Sequence, residues 1–181
     1  MANMNVIGLV ASPRRGANTD LLVSSILYGA GSSGHAVEKV NLYDIDIGPC
    51  VDCLACKQGK NRCVIGDGMQ MLYPKIEAAD VIVFGTPLYW YGPTAKMKLL
   101  IDRLRPFVPS KKFNGKKAII VMPSEEGAQA CCFAVGMFKS SFDYLGVELI
   151  GKILPKTTER TSIKKQPEIM NKAFELGKNL K

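Results

Sequence analysis

Four of the six cysteines crowd into one short stretch, Cys50-x2-Cys53-x2-Cys56-x6-Cys63. Thiolates bind soft metals and exchange electrons, so this spacing is the most chemically informative feature of the chain. Structural zinc usually pairs two C-x2-C knuckles separated by a dozen or more residues, so that four thiolates converge tetrahedrally. Three cysteines at successive x2 spacing with a fourth nearby suit a [4Fe–4S] cubane better, because one compact loop can wrap three of its corners. Zinc, and redox-active thiols that hold no metal, stay open as other readings of the same residues. Cys131 and Cys132 are adjacent in a helical stretch without ligand spacing and read as ordinary buried cysteines. The single histidine, His35, follows Gly34 in a turn, which leaves a Ser-His-Asp or Cys-His hydrolase little to be built on.

Three further segments carry residues suited to a ligand. Ser12, Arg14, Asn18 and Thr19 run from a turn into a helix start. Hydroxyls, a guanidinium, backbone N–H groups and the positive helix end together suit a phosphate monoester. A polar turn with a helix cap would use the same residues. Neither G-x-G-x-x-G nor G-x-x-x-x-G-K-[ST] is present there, which speaks against a dinucleotide fold or an NTP P-loop. Pro87-Leu88-Tyr89-Trp90-Tyr91-Gly92 sets three consecutive aromatics where they could flank a planar ring or, alternatively, cap the core. Gly92 and Gly85 would let backbone approach closely. A third loop, Ser124 to Gly127, carries Glu125 and Glu126.

The elements that must position these loops alternate in type. Asn5–Ala11, Val81–Phe84 and Ala118–Met122 are near-continuous apolar runs, as expected for strands buried on both faces. Ala36–Leu42 and Val147–Leu154 complete a set of five. Helices are expected from a Thr19 cap through Ala30, over Gly66–Ala79, from Pro93 at a first turn through Leu104, over Gly127–Leu145, and in the tail through Leu180. Strands alternating with helices imply an α/β doubly wound, five-stranded parallel sheet, with the flavodoxin-like order 2-1-3-4-5. Ligands of such sheets bind outside the carboxyl ends of the strands, at the point where the order reverses. The loops after strands one, three and four are the three singled out above. The whole chain, 1–181, reads as one domain, with a cysteine-rich insertion at about 48–66.

Bulk properties narrow the class. An apolar fraction of 47% and a charged fraction of 22% suit a folded chain. No apolar run reaches the ~18 residues of a membrane span, and Arg14-Arg15 follow rather than precede the first apolar stretch, so a cytoplasmic protein is expected. Net charge is +8, with Lys111, Lys112, Lys116, Lys117, Lys164, Lys165, Lys172, Lys178 and Lys181 supplying much of the late excess. That pattern suits a solvated basic surface, or a docking face for an acidic partner. Nucleic acid is not expected, because no aromatic platforms interleave the basic residues. Asp102-Arg103 is expected as a surface or interface pair.

Taken in order, these residues resemble the NADPH-dependent FMN reductase family. Ser12-Pro13-Arg14 with Asn18-Thr19 resembles its FMN phosphate loop. Thr86-Pro87-Leu88-Tyr89 and the helix with Lys96 and Asp102-Arg103 resemble its second flavin loop and the helix that follows. Cys50, Cys53, Cys56 and Cys63, followed by Asp67 and Met69, resemble the iron–sulfur flavoprotein branch. Gly68 departs from that pattern, standing where relatives commonly have a second acidic residue, and Ser124-Glu125-Glu126-Gly127 is more acidic than usual. The resemblance implies FMN and a [4Fe–4S] cluster, with the flavin phosphate at Ser12, Arg14, Asn18 and Thr19 and its ring against Pro87–Tyr91. It also implies a homo-oligomer, dimer or tetramer, in which one subunit's cluster lies near a neighbour's flavin. The electron donor would be NAD(P)H or ferredoxin. A cluster-free NAD(P)H-dependent FMN or quinone reductase and a thiol-based redox sensor are the alternatives.

Overall fold

In the computed structural model, which describes residues 3–158 and 162–181, the three central strands of one sheet send alternate side chains into two apolar layers. β1 (Asn5–Val10), β2 (Ala36–Asn41) and β3 (Val81–Gly85) pair in parallel, with β1 in the middle. Two short antiparallel strands, β4 (Leu88–Tyr89) and β5 (Gly92–Pro93), form a separate hairpin. β6 (Lys117–Val121) and β7 (Glu148–Ile153) extend the sheet, whose order is β2-β1-β3-β6-β7. This is the flavodoxin-like order expected for the five long strands. The hairpin was not foreseen.

Helices cover both faces. Val6, Val10, Val83, Ile119 and Val121 face α1 (Asn18–Ser32) and α6 (Pro167–Lys178). Ile7, Leu9, Phe84 and Ile120 share a core with α2 (Met69–Ala78), α3 (Ala95–Asp102), the short α4 (Phe107–Ser110) and α5 (Cys132–Leu145). Phe84, Phe138 and Phe142 pack there with ring centroids 5.0–5.8 Å apart. Glycine decides how close α1 and α6 approach. A Cβ on Gly177 would lie 1.9 Å from Ile26 O, and one on Gly29 would lie 2.0 Å from Phe174 O.

Several helix starts differ from expectation, each for a local reason. Ala17, not Thr19, is the N-cap of α1, and no side chain caps there. Asp20 instead reaches back to accept from Gly16 N–H at 2.7 Å, one residue before the N-cap, which fixes the turn that leads into the helix. Pro93 belongs to β5, and α3 starts after Thr94, whose hydroxyl accepts from Met97 N–H. α2 begins at Met69 and α5 at Cys132, each a few residues late. Before α2, the Gly68 N–H is taken by Asp46 O and Asp67 accepts from Met69 N–H. No described helix is long and apolar enough to cross a membrane. Some of the basic excess holds the fold together: Lys116 Nζ donates to the carbonyls of Glu77 and Ala79, and Lys117 Nζ to Lys181 O.

Candidate functional site

The loops after β1, β3, β6 and β7 meet at the carboxyl edge of the sheet and enclose a cleft of about 550 Å³. Its first wall is Arg14 and Asn18. Ser12 stands behind them, buried, its hydroxyl accepting from Arg14 N–H at 3.3 Å and so shaping the turn. Arg14 is exposed on this wall, whereas neighbouring Arg15 is paired with Asp44. Asn18 does more than face the cleft. Its Oδ1 accepts from Ile163 N–H at 3.1 Å and its amide reaches Ser162 Oγ at 3.4 Å, which ties α1 to the 162–165 turn. Thr19 is buried within the first helical turn and does not line the cleft.

Pro87, Leu88, Tyr89, Trp90 and Tyr91 form the second wall. Trp90 and Tyr91 sit at the hairpin tip with φ of +48° and +60°, a pair of left-handed residues that the two-residue turn requires. Bulky side chains are costly there, and Trp90 is nonetheless 97% exposed. Gly92 is the β5 residue paired with Tyr89, behind the tip. Thr94, which nothing in the sequence pattern marked, bolts the hairpin to β1. It is fully buried, its N–H donates to Thr86 Oγ1 at 3.0 Å, and its hydroxyl donates to Ala11 O at 2.9 Å.

Pro123, Ser124, Glu125, Glu126 and Ala130 supply the third wall, with Thr157 and Thr158 after β7. Gly127 lies behind Ser124 at φ +80°, its carbonyl accepting from Ser124 Oγ at 2.9 Å. Cys131 is buried beneath this turn, its thiol 3.5 Å from Gly127 O, and burial pushes that thiol's pKa up. Cys132, by contrast, is exposed, so only one of the pair is a buried cysteine. The threonines after β7 were missed, although the rule that ligands gather at strand carboxyl ends applies to the fifth strand too.

The other cluster of chemistry lies apart from the cleft. Cys50, Cys53, Cys56 and Cys63 all line one small apolar pocket of about 20 Å³, with Arg103, Arg105 and Pro106 among its other walls. The backbone there is tightly wound. Asp52, Leu54, Gly59 and Asn61 have φ between +49° and +87°, and Cys56–Lys60 makes a π-type turn broken at Gln58 and Gly59. Burial raises the Cys56 thiol pKa, against the pull of Arg105. Among the described residues, no group of three or more His, Cys, Asp or Glu is arranged to hold a metal ion. A single ion needs sulfurs about 2.3 Å from one centre, whereas a cubane is held by thiolates on separate irons. Four thiols lining one apolar pocket are the type of donor set that an iron–sulfur cluster uses.

Asp102 and Arg103 do not act as a surface pair. Asp102 pairs with Lys98, one turn away. Arg103 is 1% exposed and forks onto buried Asp67, Nη1 to Oδ2 at 2.6 Å and Nη2 to Oδ1 at 3.0 Å. Burial opposes charge on both partners, but the paired bonds outweigh it, so the Asp67 carboxyl sits low and the guanidinium high. Gly68, the departure noted above, has no room for a side chain: its Cβ would lie 2.2 Å from Ile45 Cγ2 and 2.6 Å from Asp46 O.

The sheet order and the cleft at its carboxyl edge define a flavodoxin-like α/β protein. Residues 4–154 match the model of the NADPH-dependent FMN reductase family, and the chain belongs to that family. It is 37% identical over 130 residues to an iron–sulfur flavoprotein of Methanocaldococcus jannaschii, covering 70% of this chain and 66% of that one. An iron–sulfur flavoprotein of Archaeoglobus fulgidus is 33% identical over 113 residues, covering 62% and 51%. These relatives set the chain in the iron–sulfur flavoprotein branch, although it spans only about half to two thirds of their length. An NAD(P)H:quinone oxidoreductase from Methanothermobacter marburgensis shares the fold, with a TM-score of 0.72 at 18% identity over 99% of this chain and 100% of that one.

Proposed function

We propose that this member of a flavin-dependent oxidoreductase family binds FMN in the cleft and a [4Fe–4S] cluster at Cys50, Cys53, Cys56 and Cys63. The observation that carries this reading is the gathering of all four cysteines round one apolar pocket, in a fold whose carboxyl edge holds a separate cleft. When bound, FMN supplies one- and two-electron redox chemistry and the cluster single-electron exchange. The chain's own residues bind and orient. Arg14 and the α1 N-terminus hold the phosphate, Ser12 fixes the turn that aims them, and Asn18 anchors that helix start to the 162–165 segment. Pro87–Tyr91, held by Thr94, flank the ring, and the Ser124–Gly127 turn closes the opposite side. FMN phosphate is dianionic, so the acidic pair Glu125 and Glu126 belongs at the ring end of the cleft rather than the phosphate end.

Trp90 on a strained, protruding tip supports a homo-oligomer in which a second copy covers it. NAD(P)H or ferredoxin is the donor in this reading. A cluster-free NAD(P)H-dependent FMN or quinone reductase is the second reading, favoured by the match of residues 4–154 to the NADPH-dependent FMN reductase model. Protein purified without oxygen separates the two by its absorbance spectrum and iron content. Flavin bands with a broad visible shoulder and about four irons per chain support the cluster; flavin bands alone, with iron absent, select the reductase.

A further inference from the structure

The buried Asp67–Arg103 fork touches none of the three walls of the cleft, yet its hydrogen bonds reach both ends of the cysteine segment. Asp67 Oδ2 accepts from Gly48 N–H at 2.9 Å, and Arg103 Nη1 donates to Gly48 O at 2.8 Å. Both backbone groups of Gly48, on the incoming arm, are thus held by a pair rooted on the outgoing arm and on α3. Asp67 also accepts from Met69 N–H at 3.0 Å, and Tyr73 of α2 donates its hydroxyl to Arg103 O at 2.8 Å. Between these ends the segment has few ties: Arg105 Nη1 donates to Asp52 Oδ1 at a half-exposed pair, and the rest are local. Lys57 and Gln58, in the π-type turn, donate their N–H groups to Leu54 O, and Asp67 N–H donates to Ile65 O. Gln70 adds a side-chain grip on the carbonyls of Cys63 and Ile65.

A buried ion pair is rarely the most stabilising choice for its volume; its best-attested value is to fix one arrangement among several. Here the arrangement fixed is the separation of the arm bearing Cys50 from the arm bearing Cys63. We infer that Arg103 is a positioning residue: its fork onto Asp67 and Gly48 closes the cysteine loop and sets its four thiols around their pocket before any cluster is present. The ligand side of this statement rests on the cluster reading above; the closure of the loop does not.

Arg103→Lys keeps the charge but replaces a planar fork by a point contact. Tyr73→Phe keeps the fork and removes the hydroxyl that seats the Arg103 backbone and also meets the Cys63 side chain. Two readouts apply to the FMN-bound protein. One is the rate of protease cleavage within 49–66 with iron absent. The other, after iron and sulfide reconstitution, is iron release to a chelator together with the electron-paramagnetic-resonance line shape of the reduced centre. We expect Arg103→Lys to cleave and to release iron at least tenfold faster, with an altered line shape and FMN affinity within twofold of wild type. Tyr73→Phe should move both rates in the same direction, by less. A lysine variant matching wild type in both readouts would mean that charge alone suffices, and the positioning role is wrong. Should Arg103→Lys fail to fold, Asp67→Asn, which sets an amide N–H against one arm of the guanidinium and so breaks half of the fork, takes its place, and wild-type behaviour of that variant in both readouts overturns the inference equally. Failure of the wild type to take up iron would refute the cluster reading, and the cleavage rates would still decide the closure.

Discussion

Arg14 and Arg15 are neighbours of identical charge with different surroundings, and that difference makes a discriminating test of the phosphate assignment. Arg14 lines the cleft, while Arg15 is turned to Asp44. A hydrogen bond to a charged group is worth about 1.5–3 kcal/mol. Arg14 is exposed, so solvent screening brings the expected loss down to about 1–2 kcal/mol. Arg14→Ala should therefore weaken FMN roughly 5- to 30-fold. Riboflavin, which lacks the phosphate, should lose less than about twofold, and Arg15→Ala should leave both ligands nearly unchanged. Titration of the deflavinated protein by flavin fluorescence measures all six affinities. The gap between the two ligands should narrow in high salt, because the Debye length falls to about 3 Å at 1 M. Equal losses for FMN and riboflavin, or an Arg15 effect as large as that of Arg14, would refute the placement of the phosphate on this wall.

Replacing any one of Cys50, Cys53, Cys56 or Cys63 by Ala should remove iron and leave FMN bound, whereas Cys131→Ala should keep its iron; iron-to-flavin ratios check this, and full iron in Cys56→Ala would count against the cluster. Gly177→Ala should cost about 2–4 kcal/mol in a urea melt, since its Cβ would sit 1.9 Å from Ile26 O. Burial alone would push the Asp20 carboxyl up, but bonds from Lys39 and the Gly16 N–H outweigh it and hold it below the ordinary value. Its stabilisation is thus full above the unfolded value near 4 and is lost as pH falls through the lower folded value, so wild type should lose more thermal stability than Asp20→Asn between pH 7 and 3. Electron transfer from reduced ferredoxin, an acidic one-electron carrier, should slow steeply with salt given the +8 charge; stopped-flow traces showing fast NADPH reduction and salt-indifferent ferredoxin transfer would favour the cluster-free reductase.

The sheet was legible because its signal is redundant. Val81–Gly85 and Lys117–Val121 are apolar on both sides, which only a strand buried between two helical layers tolerates, and the βα alternation then restricts the order to very few choices. The cleft followed from topology, so Arg14, Pro87–Tyr91 and Ser124 could be placed on one rim without knowing a single contact. Helix starts were harder to read because capping is a competition among neighbours. Thr19 looks like a cap, but Asp20 satisfies the Gly16 N–H and moves the boundary two residues earlier. Pro93 looks like a helix start, but Thr94 holds it in the hairpin.

What the chain's order of residues conceals are partners far apart in sequence. Arg103 sits beside Asp102, and a surface pair is the natural reading of two adjacent opposite charges on a helix. Its true partner lies 36 residues away, in the outgoing arm of the cysteine segment. Asn18 is split in the same way between the rim of the cleft and a segment 145 residues distant. Both are polar side chains, both are buried, and neither breaks any hydrophobic period, so pattern analysis has nothing to detect. The constraint that reveals them is physical: a buried guanidinium or amide must find hydrogen-bond partners, and only the folded chain says which. In this protein those partners close the two segments on which the proposed chemistry depends. The cysteine spacing therefore advertises the ligands, while the residue that holds the ligands in place is visible only once the loop ends have met.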